Sequence, residues 1–152
     1  MKKTALFILV LLVILFIGVF SFAPAYVDRS INWVSPHTPY AVSERAKTLH
    51  SSLLIGDWHA DSALWDRDLS KQYDYGHVDI PRLQKGNVAL QMFTSVSKSP
   101  RGQNYNKNET SANDNITSLV ILQRWPIKTW SSLAERVIYQ ARKIRTLEQE
   151  DS

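Results

Sequence analysis

Leu53-Leu54-Ile55-Gly56-Asp57-Trp58-His59-Ala60-Asp61 is an apolar run that ends in a His-x-Asp pair. Residues 53–57 read as a buried strand, because the run is short, apolar and followed at once by polar residues. Residues two apart on a strand face the same way, so His59 and Asp61 project together with Cα atoms about 6.5–7 Å apart. An imidazole nitrogen and a carboxylate oxygen suit zinc, each at about 2.0–2.2 Å. Taken alone the spacing is common, and an ordinary hydrogen-bonded histidine explains it as well; even a catalytic zinc takes three protein ligands. Asp57 shares the face of His59 and is a candidate to orient the imidazole, with a structural hydrogen bond as the alternative.

Outward from this segment, helical and strand signals alternate. Residues 39–50 predict a helix capped by Thr38, with Pro39 in its first position and Ala41, Val42, Arg45, Ala46 and Leu49 at helical spacing. After the strand, residues 62–74 are irregular and polar. Trp65 is a candidate for the mouth of a substrate pocket, with core packing the alternative. Asp79 can cap a short helix with Pro81 in its first turn and Gly86 at its end. Residues 88–96 read as a second strand, and residues 97–113 as a long polar loop. Two helices follow, over 114–125 and 132–148, the first broken by Pro126 and the second opened by the capping box Ser132-Leu133-Ala134-Glu135. In the last helix Leu133, Val137, Ile138, Ala141 and Ile144 form an apolar stripe for the core, with Arg136, Arg142, Lys143 and Arg145 on the solvent side. The alternation predicts an α/β chain with parallel strands.

The chain of 152 residues has no cysteine, so disulfides and thiolate metal sites are excluded and any metal must sit on His and carboxylate ligands. The net charge is +4. Setting aside Lys2 and Lys3, 16 of the 18 Lys and Arg residues remain against 14 Asp and Glu, an excess too small and too scattered for a nucleic-acid partner. Residues 5–23 are uncharged and apolar, and as a helix span about 28 Å, close to the hydrocarbon thickness of a bilayer. A signal anchor over residues 1–25 competes with a cleaved signal using Ala23-Pro24-Ala25; the length of the run and Pro24 beside the cut favour the anchor. Residues 26–38 then read as a linker and 39–152 as the domain. Lys2 and Lys3 would stay cytoplasmic, leaving the domain on the periplasmic or external face of a bacterial inner membrane.

The stretch from Leu54 to Asp61 resembles the first strand of the membrane (renal-type) dipeptidases, a zinc peptidase family in which an apolar strand runs into Asp-Gly-His-x-Asp. Gly76-His77-Val78-Asp79-Ile80-Pro81-Arg82-Leu83-Gln84-Lys85-Gly86-Asn87-Val88-Ala89-Leu90-Gln91-Met92-Phe93 is similar to that family's next segment, in the same order and at close to the same spacing. The likeness covers roughly residues 40–148, about the N-terminal third of a family member. It implies the N-terminal part of a (β/α)8 TIM-like barrel of the metal-dependent hydrolase type, incomplete here, preceded by one transmembrane helix. It further implies dipeptide substrates, two zinc ions and a homodimer in the complete enzyme, with His59 and Asp61 as ligands of one ion. The bridging glutamate and two further histidine ligands lie on later strands of the family and have no counterpart here, so the chain by itself is expected to be inactive. Trp58 stands where the family usually has glycine, and His77, without ligand partners at chelating spacing, reads as a structural or surface histidine. A related amide or lactam hydrolase, or a non-catalytic membrane-tethered remnant, are the alternatives.

Overall fold

The uncharged run at the N-terminus forms one continuous helix. In the computed structural model, which describes residues 2–150, α1 spans Lys2–Ile31 and is long and apolar enough to cross a membrane. Met1 and residues 151–152, the outer ends of the expected anchor and domain segments, lie outside the described residues. The helix continues through Pro24, past the apolar run and into the first part of the expected linker. Side chains of its last two turns hold it there. Arg67 Nε donates to Asp28 Oδ2 at 2.8 Å, and Arg29 donates to both oxygens of Asp74 at 2.7 and 2.8 Å. The Gly76 N–H then donates to the Asn32 carbonyl at 2.7 Å.

Helix α2 covers Glu44–Ser52, not 39–50 as the proline and periodicity suggest. Ser43 rather than Thr38 is the cap, its hydroxyl accepting from the Ala46 N–H at 3.2 Å with Glu44 in the first turn. Strand β1 is Ile55–Ala60 and strand β2 is Val88–Phe93, and the two pair in parallel as expected. Helix α3, Ile80–Lys85, crosses between them with Asp79 as its cap and Gly86 at its end. Asn87, in the left-handed region at φ 55°, donates through Nδ2 to the carbonyls of His50 and Leu53 at 2.9 Å each. One amide thus ties the end of α2 to the start of β2. The register pairs Ile55 with Val88, Asp57 with Gln91 and Ala60 with Phe93, with irregularities that bend the end of β1.

Helix α4, Asn115–Leu122, is capped by Asp114, and α5 is Leu133–Glu150. The buried core joins Leu64 and Trp65, just past β1, to Ile116, Val120 and Trp125, with Val27 of α1 and Tyr139 of α5 packed against it. The core therefore lies beside the carboxyl end of the sheet rather than on its faces. Trp58 is 69% exposed, and Leu90 and Met92 also face out. The described architecture is a mixed helix and strand arrangement with a two-stranded parallel sheet.

Helix α5 turns the opposite way from its hydrophobic pattern. Arg136, expected on the solvent side, is 1% exposed and Gln140 is fully buried, whereas Leu133, Val137 and Ile138 are 45%, 41% and 41% exposed. The cause is hydrogen-bond satisfaction. Arg136 Nε donates to the Thr129 carbonyl, Nη1 to the Ser97 carbonyl and Asp114 Oδ2, and Nη2 to Thr117 Oγ1 and the Trp130 carbonyl, all at 2.6–2.9 Å. All five guanidinium N–H donors are used, which makes an arginine acceptable in an interior. One turn on, Gln140 exchanges hydrogen bonds with the backbone of Val96 at 3.1 Å in both directions. Arg142 and Arg145 do face solvent.

Candidate metal centre

The end of β1 decides where the His-x-Asp pair points. β1 runs to Ala60, so His59 belongs to the strand and Asp61 is the first residue past it. Asp61 has left the extended region, with φ −87° and ψ 21°, and starts a 3₁₀ turn over Ser62–Leu64. The pair therefore converges because the chain bends after Ala60, not through strand alternation alone. His59 Nε2 lies 3.2 Å from Asp61 Oδ2. That is the length of an ordinary N···O hydrogen bond, and it also lies close to the about 3.4 Å that separates two ligand atoms each about 2.1 Å from a tetrahedral zinc. Both side chains remain open to solvent.

Thr94 completes the arrangement: the strand expected over 88–96 ends at Phe93, which puts Thr94 just beyond it. Ala60 pairs with Phe93, so the residues just beyond each strand sit side by side. The Thr94 N–H donates to the Ala60 carbonyl at 3.0 Å, and its hydroxyl donates to Asp61 Oδ1 at 2.5 Å. That bond leaves Oδ2 facing the imidazole. A hydroxyl beside a ligating carboxylate fixes its orientation, a recurring feature around metal sites. The signal that identifies Thr94 is strand register, which needs both strand ends.

Asp57 acts on the backbone. Its Oδ1 accepts from the His59 N–H at 3.1 Å rather than from the ring. That backbone N–H, helped by the Gln91 side chain, holds the Asp57 carboxyl below the usual carboxylate range. Trp65 is buried in the core, the packing role that was its alternative. It also borders a cleft of about 180 Å³ with His59, Asp61, Arg67, His77 and Asn32. The structure thus brings His59, Asp61 and Trp65 to one opening, whose lining does not include Asp57. Among the described residues, no group of three or more His, Cys, Asp or Glu side chains gathers at metal-binding distance.

Chemically, the opening offers an imidazole nitrogen, a carboxylate oxygen and a hydroxyl at the carboxyl end of a parallel strand pair. No protein-family model, curated protein or solved structure matches this chain.

Proposed function

We propose that this chain serves zinc-dependent hydrolysis of dipeptides, as the first part of a membrane-anchored metallopeptidase barrel. The observation that carries the reading is the 3.2 Å approach of His59 Nε2 and Asp61 Oδ2 at the end of β1, with Thr94 holding the carboxylate. The carboxyl ends of parallel strands are where β/α barrels build their active sites. The two sequence segments that resemble the dipeptidases run through β1 and through α3 into β2, the parallel pair that frames this opening.

A zinc ion held there by His59 and Asp61 would supply Lewis acidity, making water acidic near neutral pH and favouring negative charge on a carbonyl oxygen. His59 and Asp61 bind it as ligands and move no proton themselves. Asp61 contributes the negative charge, and Thr94 prevents its carboxylate from turning away from the imidazole. Trp65 forms an apolar wall of the cleft beside them. Two ligands hold zinc weakly, so the reading expects the bridging glutamate and two histidines of later barrel strands to complete the site. In this account α1 anchors the chain in a bacterial inner membrane with Lys2 and Lys3 on the cytoplasmic side.

Zinc titration of the purified chain tests the ligand assignment. Saturable binding that disappears in both His59→Ala and Asp61→Ala supports it, and equal zinc uptake by wild type and both variants overturns it. The coding DNA beyond codon 152 tests the wider reading. A continuation that supplies a glutamate and two histidines at later strand ends supports the dipeptidase, and a genuine stop there favours a remnant.

A further inference from the structure

The surface that the folded domain turns toward α1 is graded in polarity along the helix. Nearest the apolar run, Phe16 and Phe20 of α1 face Ile121, Trp125, Pro126, Ile127 and Trp130 across an open apolar gap of about 460 Å³. Further along the helix, a smaller gap of about 130 Å³ is bordered by Ser21, Asp28, Arg67, Tyr73 and Tyr75. Arg124, with the left-handed φ of 59°, stands between the two and borders both. The order along the helix is apolar, then cationic, then polar and ion-paired. Hydrocarbon, headgroups and water follow one another in the same order across one leaflet.

The depths agree. The uncharged run ends at Ala23. At about 1.5 Å per residue, Phe20 lies about 4.5 Å and Phe16 about 10.5 Å inside that end. The Pro126–Trp130 turn reaches down alongside these two residues, so it shares their level. Its apolar side chains are not covered by protein: Ile127 is 76% exposed and Trp130 is exposed as well. The Trp130 indole N–H donates to the Trp125 carbonyl at 3.0 Å, so its polar atom is satisfied internally and needs no water. Lys128 is drawn aside by Glu135 at 2.6 Å.

We propose that the 126–130 turn is a second membrane contact, with Ile127 and Trp130 inserted at the boundary between headgroups and acyl chains of the leaflet through which α1 leaves the bilayer. The inference rests on α1 spanning that bilayer, as in the proposed function, and is independent of the metal site. The occupant of the apolar gap is lipid. A protein partner would need to fit between the domain and a helix that is itself surrounded by hydrocarbon at that depth. Two contacts on one side fix the tilt of the domain, which a single helix leaves free.

The chain has no cysteine, so single substitutions carry a nitroxide label without further engineering. Ile127→Cys, Leu12→Cys and Tyr105→Cys would each be labelled in the full chain in phosphatidylcholine–phosphatidylglycerol vesicles. Collision with oxygen, which concentrates in lipid, is compared with collision with a water-soluble nickel chelate. Tyr105 is fully exposed in the long loop and supplies the aqueous reference, while Leu12 reports the span itself. The expected result is an oxygen-to-nickel ratio at Ile127 at least several-fold above that at Tyr105 and below that at Leu12. A lipid-like ratio at Leu12 with an aqueous ratio at Ile127 overturns the proposal and leaves the anchor standing. An aqueous ratio at Leu12 overturns both.

Discussion

Arg136 Nη1 donates to Asp114 Oδ2 at 2.6 Å, joining the first turn of the domain's last helix to the cap of the helix before it. Both side chains are withdrawn from water, so neither charge tolerates the loss of the other. Asp114 also accepts from the N–H groups of Ser99, Ile116 and Thr117. Removing one partner of a buried pair costs about 3–5 kcal/mol. Asp114→Ala and Arg136→Met are each expected to lose about that much in urea unfolding of the detergent-solubilised chain, the first because it strands the guanidinium and the second because it strands the carboxylate and the Ser97, Thr129 and Trp130 carbonyls. A loss well under about 1 kcal/mol in either variant would show that the pair is not a net contributor to stability.

Burial draws the Asp114 carboxyl upward, but the Ser99 N–H, the Arg136 guanidinium and the Thr117 hydroxyl outweigh it and hold it well below the ordinary carboxylate range. The unfolded chain therefore takes up this proton first as pH falls. The stability that Asp114 confers is complete above the ordinary aspartate range, near pH 4, and is lost progressively below it. Unfolding midpoints at pH 6 and pH 3 should separate more in the wild type than in Asp114→Asn. A separation that survives the substitution unchanged would assign the acid sensitivity to other carboxylates.

Lys143 gives a slope of the same sign in a different pH window. Its Nζ donates to the carbonyls of Ala63, at 3.0 Å, and Trp65, and burial pushes its pKa down to about 8. Between about pH 8 and the ordinary lysine value near 10.4, the unfolded state binds more protons than the folded one. Stability attributable to this group rises with pH across that window. Lys143→Met should flatten the slope there while leaving the slope below pH 7 unchanged, as read from thermal midpoints at half-unit pH steps.

The contrast between α5 and β1 explains what the sequence could tell. The parallel pair was legible because two short apolar runs flank a capped helix, and each signal is local: Asp79 accepts from the Arg82 N–H at 2.9 Å as its position predicts. The orientation of α5 was not legible. Its apolar stripe is regular, and nothing nearby in sequence announces that Arg136 will find Asp114, Thr117, Ser97, Thr129 and Trp130 around it. Periodicity reads the side chains of one helix, whereas burial was decided by acceptors on other segments. The candidate site divides in the same way. The closeness of His59 and Asp61 follows from residues two apart where the chain turns out of β1, but Thr94 enters only through pairing with a strand more than thirty residues away.

Gly76 is the point where the domain grips the end of α1. Its φ is +81°, and a Cβ there would stand 1.7 Å from Arg67 Nη1. Arg67 cannot swing away freely, because its Nε is committed to Asp28 in a pair that is almost fully buried. Gly76→Ala combines left-handed strain with displacement of that guanidinium, at a cost of about 1–3 kcal/mol. The effect should be local to the junction. Hydrogen exchange at the amides of Asn32 and Gly76 should quicken in the variant while that of Val120 and Gln140 in the core holds. Uniform acceleration would mean that the grip on α1 and the core form one cooperative unit.

Thr94 offers the sharpest separation between a metal-site role and ordinary packing. Its hydroxyl bonds Asp61 Oδ1 at 2.5 Å, and its N–H independently continues the ladder to the Ala60 carbonyl. Thr94→Val keeps the shape and the backbone bond and removes only the hydroxyl. If His59 and Asp61 take zinc, the freed carboxylate must be reordered on binding. Loss of such an orienting partner lowers metal affinity about 10–100-fold. Thr94→Ser restores the donor and should recover most of that loss. Calorimetric zinc titration of the three proteins reads this directly, with unfolding midpoints as the structural control. Weakened binding in Thr94→Val, recovered in Thr94→Ser and without a matching change in stability, identifies the hydroxyl as part of the metal centre. Equal affinity in all three would leave the threonine as a strand-end contact and weaken the case that its neighbours hold a cation.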